Sequence, residues 1–127
     1  MCGGGFVNTI LIVDDSATYR KACGDMLASH GYETIFAVNG SEAISLAKEQ
    51  HPDLILMDVL MPEVNGYYAT RKISKDPATQ DIPIVIASIK NDEVDIIYGK
   101  KQGAIDYLVK PVADDHLLES ISRALDH

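Results

Sequence analysis

The sequence predicts an α/β domain in which helices wind over both faces of a parallel sheet, and three observations predict it. Short apolar runs alternate with stretches of helical periodicity along the whole chain. The runs are apolar at nearly every position rather than at every second one, which is how strands buried on both faces read. The length, 127 residues, suits one hydrophobic core and not two.

The first run is Thr9-Ile10-Leu11-Ile12-Val13. After it Tyr19, Ala22, Cys23, Met26 and Leu27 step by three and four, one face of a helix, with Gly31 placed to end it. The second run covers 34–38. Asn39 followed by Glu42 then reads as an N-cap with a reciprocal acid, opening a helix through Ala43, Ile44 and Ala47. Leu54-Ile55-Leu56-Met57 is the third run, a helix is predicted over 66–74, and the fourth run covers 84–87. Val94, Ile97 and Tyr98 make a weaker helical stripe before the fifth run at 107–109. Leu117, Leu118, Ile121, Ala124 and Leu125 make a strong last one. Right-handed crossovers place the five helices on both faces of one sheet. No repeat or linker divides the chain, so 8–127 reads as a single domain with no output domain, behind a flexible glycine-rich lead-in at 1–7.

Composition narrows the function classes. Hydrophobic residues are 46% of the chain, which excludes a disordered tail. Eleven basic against nineteen acidic residues leave a net charge of −8, which argues against a nucleic-acid face and suits basic partners or cations. No run approaches a membrane span and the start lacks a secretory pattern, so no membrane insertion and a cytoplasmic address are expected. Two cysteines, Cys2 and Cys23, make no disulfide framework and read as reduced thiols.

Function in open α/β sheets gathers at the carboxyl ends of the strands. Here the first strand ends in Asp14-Asp15, the third in Asp58, the fourth in Ser88 and the fifth in Lys110-Pro111. Each has a plain structural reading alone: Asp14 or Asp15 as a helix cap, Asp58 as a turn residue, Lys110 as a solvated lysine. Together, three carboxylates need a counter-charge, and a hard cation such as Mg²⁺ suits oxygen ligands. A metal beside an ammonium and a hydroxyl would hold the outer oxygens of a tetrahedral oxyanion. Asp58, on the central strand between the halves of that cradle, is then the nucleophile, and the reaction is transfer of a phosphoryl group onto it.

The chain resembles the receiver domains of two-component response regulators, a flavodoxin-like group. The resemblance rests on Ile10-Leu-Ile-Val-Asp14-Asp15-Ser, Leu56-Met57-Asp58-Val-Leu-Met-Pro62-Glu-Val-Asn-Gly66, Pro83-Ile-Val-Ile-Ala-Ser88 and Gly103-Ala-Ile-Asp-Tyr107-Leu-Val-Lys110-Pro111. It covers 8 to about 125 and implies strand order 2-1-3-4-5. It implies Asp58 as phosphoacceptor, with Asp15, Asp58 and the Leu60 carbonyl as direct Mg²⁺ ligands and Asp14 acting through water. Ser88 and Lys110 would bind the phosphoryl oxygens, and Tyr107 matches an aromatic switch position. The stretch 98–104 looks like stand-alone receivers of twitching-motility, type IV pilus systems. Ile89 departs from the small residue usual after the hydroxyl, and its bulk is expected to narrow the path to Asp58.

The expected role is a signalling protein, not an enzyme in its own right, loaded by a sensor histidine kinase or its phosphotransfer domain. It acts through an unknown protein target, as a monomer or weak dimer. A phosphate sink and a phosphorylation-independent interaction module are the alternatives. A haloacid-dehalogenase-type hydrolase would carry an Asp where Leu60 stands. A dinucleotide or flavin binder would carry a glycine-rich turn where Asp14-Asp15 stands.

Overall fold

Five strands pair in parallel in the order β2-β1-β3-β4-β5, as the resemblance implied: β1 (Thr9–Val13), β2 (Glu33–Ala37), β3 (Leu54–Met57), β4 (Ile84–Ser88) and β5 (Asp106–Val109). The structure, a computed structural model, describes residues 7–61 and 64–126. The predicted lead-in therefore lies outside the described residues except for Val7, as do Pro62 and Glu63 of the central motif.

The pleat sorts the core into two layers. Ile10, Ile12, Leu54, Leu56, Val85 and Leu108 point to one face and are covered by α1 (Ala17–Ser29) and α5 (Asp114–Leu125). Leu11, Val13, Ile55, Met57, Ile84 and Ile86 point to the other. That face is covered by α2 (Gly40–Gln50), α3 (Gly66–Lys75) and α4 (Glu93–Gln102). β3 and β4 are buried at every residue, and β1 at all but Thr9, which is why these strands lack alternation.

The differences from the sequence reading have physical causes. β2 is a sheet edge, starts at Glu33, and leaves Phe36 exposed, because only one side of it is covered by a neighbouring strand. On α1, Ala22 is exposed and Gly24 is buried instead, since Phe36 stands 2.8 Å from where a Cβ at 24 would lie. The stripe on α4 faces outward: Val94 is 76% exposed, and Ile97 and Tyr98 are 49% exposed. α4 buries Gly99 instead, against Ile86 and Tyr107, with Ile96 partly buried against the same core layer. Neither Asp14 nor Asp15 is the N-cap of α1. Ser16 is, accepting the Tyr19 N–H, while the Asp14 carboxylate accepts the Ser16 N–H at 2.9 Å. The Asn39 cap is as read, although Glu42 reaches the Val38 N–H rather than that of Asn39.

Candidate functional site

Parallel registry brings the strand ends to one edge. Val13 lies opposite Met57, Met57 opposite Ile86, and Ser88 opposite Val109. The residues that follow, Asp14, Asp58 and Lys110, must therefore stand together beside Ser88. Asp14, Asp58 and Ser88 are all buried, while Asp15 is exposed.

Lys110 donates to Asp14 Oδ2 at 2.6 Å and stands 3.8 Å from Asp58 Oδ2. The Lys110-Pro111 peptide is cis. Asp58 Oδ1 accepts the Leu60 N–H at 3.3 Å. Burial pushes the Asp58 carboxyl above the usual carboxylate value; Lys110 pulls the other way and Asp14 adds to the rise. Ser88 Oγ accepts the Lys90 N–H at 3.3 Å, which leaves its proton free to point at the strand edge.

One carboxylate oxygen each of Asp14, Asp15 and Asp58 can be chosen so that all three lie within 4.8 Å of one another. Lys110 faces two of the three acids, so the cluster keeps an excess of negative charge. Two buried carboxylates and one exposed one make an all-oxygen donor set open on one side. Such a set fits a small hard cation that retains part of its water, as Mg²⁺ does.

Two residues were not legible as site residues. The Tyr19 ring lies under Lys110, 3.8 Å from Nζ to its centroid, and Arg20 donates to the Asp14 carbonyl at 2.7 Å. Both come from the first turn of α1 and hold the lysine and the acidic corner in place. Their only signal was position, one turn beyond Ser16. Tyr107 is buried, and its hydroxyl donates to the Lys90 carbonyl at 2.9 Å; Tyr67 from α3 stands 3.5 Å away, donating to the Asp95 carbonyl. Ile89, expected to narrow the path to Asp58, is not among the residues lining the cleft beside Asp15. It is 66% exposed, and the cleft beside Asp15 is walled by Leu60, Met61, Asn65, Tyr67 and Lys90. Ile89 lies one residue past the end of β4.

The family model for the response regulator receiver domain matches residues 10–122. The protein PilH of Pseudomonas aeruginosa is 46% identical over 116 residues, covering 91% of this chain and 96% of that protein. Among solved structures, one neighbour is a putative response regulator from Chloroflexus aurantiacus. It superposes with a TM-score of 0.91 at 32% identity, covering 96% of this chain and all of that one. The receiver domain of a sensor histidine kinase from Pseudomonas aeruginosa, solved with a magnesium ion in its active site cleft, gives 0.89 at 30% identity. That match covers 96% of this chain and 100% of the neighbour.

Proposed function

The chain belongs to the response regulator receiver domain family, and from that premise we propose that Asp58 accepts a phosphoryl group from a histidine kinase or its phosphotransfer domain. The observation that carries this reading is the buried Asp58 carboxylate, set within reach of one ammonium and beside two further acids. In the transfer, the P–N bond of a phosphohistidine breaks and a P–O bond forms to an Asp58 oxygen. The imidazole leaves with the electron pair and is protonated. The Lys110 ammonium, 3.8 Å from Asp58 Oδ2, takes a phosphoryl oxygen, and the Ser88 hydroxyl donates to another. Asp14, Asp15, Asp58 and the Leu60 carbonyl would hold Mg²⁺, Asp14 through water. When bound, the ion supplies the positive charge that lets an anion approach three carboxylates.

Output follows from Ser88 and Tyr107. When Ser88 turns toward a phosphoryl group it draws on the loop through Lys90, the same residue that the Tyr107 hydroxyl holds. The exposed Val94, Ile97, Tyr98 and Ile105 lie on and beside α4, which this loop leads into, and form the partner-binding surface. The resemblance of 98–104 to stand-alone receivers of type IV pilus systems, with the similarity to PilH, supports a motility pathway.

The test is intact mass after incubation with acetyl phosphate and Mg²⁺. The mass rises by one phosphoryl group in the wild type and is unchanged in Asp58→Asn. An undiminished rise in Asp58→Asn would refute the assignment. Chemical-shift changes confined to the strand ends, without a response in α4, would favour the phosphate sink over a switch.

A further inference from the structure

Four of the eleven basic residues of this acidic chain line a single groove. It holds about 550 Å³ and runs between α2 and α3, away from the strand-end site. Lys48 and Ile44 come from α2; Tyr68, Arg71, Lys72 and Lys75 come from α3. The α3 residues follow a spacing of three and four, so they share one helical face about 10 Å long.

Among the described residues Asp76 is the one acid lining the groove. The Ala78 N–H and Lys48, 3.3 Å away, hold its carboxyl below the usual carboxylate value, so it neutralises Lys48. Arg71, Lys72 and Lys75 remain: among the described residues none has a carboxylate oxygen within 4.0 Å. Lys72 and Lys75 lie in the last turn of α3, where cations suit the carbonyl end of a helix. That accounts for neither Arg71 nor a lysine contributed by a second helix. It also does not account for Tyr68, half exposed with the Lys72 ammonium 5.8 Å from its ring centre.

Three like charges without an ion pair among the described residues, on a chain of net charge −8, mark a place where an acidic partner is attracted locally and repelled elsewhere. All three side chains are exposed, and with Tyr68 they form a row about 10 Å long on α3. A small phosphate there would meet only solvated cations, whereas a helix with acids three and four apart engages the row in parallel. We propose that the α2–α3 groove docks an acidic amphipathic helix of a partner protein. Its carboxylates, spaced three and four apart, face Arg71, Lys72 and Lys75, and one apolar side chain rests on Ile44 and the Tyr68 ring. This surface works independently of Asp58.

The test is an NMR titration of the labelled protein with a synthetic helical peptide carrying Glu at that spacing and one Leu. Saturable shifts at Ile44, Tyr68, Arg71 and Lys75 are expected, with affinity falling as salt rises. Arg71→Ala/Lys75→Ala weakens binding about tenfold, the order of two exposed ion pairs at a few-fold each. Lys100→Ala/Lys101→Ala, an equal charge change on α4, leaves it unaltered. Equal losses in the two variants would reduce the effect to overall charge and overturn the proposal. Tighter binding of ATP or of a duplex oligonucleotide at the same residues would overturn it too.

Discussion

Replacing Gly66 by alanine sets two physical effects against each other, and the structure says which wins. Gly66 opens α3, so helix propensity alone predicts that alanine stabilises, by up to about 1 kcal/mol. A Cβ at this position, however, would stand 2.0 Å from the Asp58 carbonyl oxygen and 2.7 Å from Val59 Cα. Both are backbone atoms, so no rotamer change relieves the clash, and α3 and the end of β3 must part by more than an ångström. Overpacking of this kind costs about 1–3 kcal/mol or more, so the net effect is destabilising. With the propensity gain subtracted, a net loss of about 2 kcal/mol lowers Tm by about 8 °C for a domain of this size. The strand end that moves carries Asp58, so phosphorylation by acetyl phosphate should fall as well. Gly31→Ala is the control: φ is +89° there with nothing within 4 Å, so it costs about 1–2 kcal/mol of backbone strain and leaves loading intact. Urea denaturation and the rate of mass gain, measured on both variants, are the assays. A Gly66→Ala protein at least as stable as wild type, with normal loading, would refute the close approach of α3 to Asp58.

Tyr67→Phe and Tyr107→Phe should each cost about 0.5–1.5 kcal/mol in urea denaturation, because the Asp95 and Lys90 carbonyls lose a donor. The double variant should depart from additivity, since the two hydroxyls stand 3.5 Å apart; strict additivity would mean they do not interact. For Cys23, burial pushes the thiol up to about 11 although Tyr19 and Lys110 pull it down. The fold therefore favours the protonated thiol, a contribution fully present below the ordinary thiol value of 9.0 and lost as pH rises through about 11. Alkylation of Cys23 at about pH 8.5, followed on its own peptide, should run about a hundredfold slower in the folded protein than in the denatured chain. Equal rates would contradict the burial.

Much of this protein is readable in its sequence. Runs such as Leu54–Met57, apolar at every position, carry the signature of central strands because a strand covered on both faces has no polar side to show. Once alternating helices force parallel strands, Asp14, Asp58, Ser88 and Lys110 must share an edge whatever the packing details. That logic made the acidic corner legible from spacing alone. Side-chain type at a helical position carries less information. Val94, Ile97 and Tyr98 repeat as a core stripe does, yet they stay about half or more exposed, because α4 turns Gly99 and Ile96 toward the core instead. Tyr19 beneath Lys110 joins residues 91 positions apart on different elements, a pairing set by how α1 lies on the sheet. The basic groove arises the same way: Lys48 and Arg71 are unremarkable on separate helices and become one surface where α2 packs beside α3. Local periodicity and strand-end position are properties of the chain. Which face of a helix turns inward, and what meets across two elements, is set by packing that no short window of sequence contains.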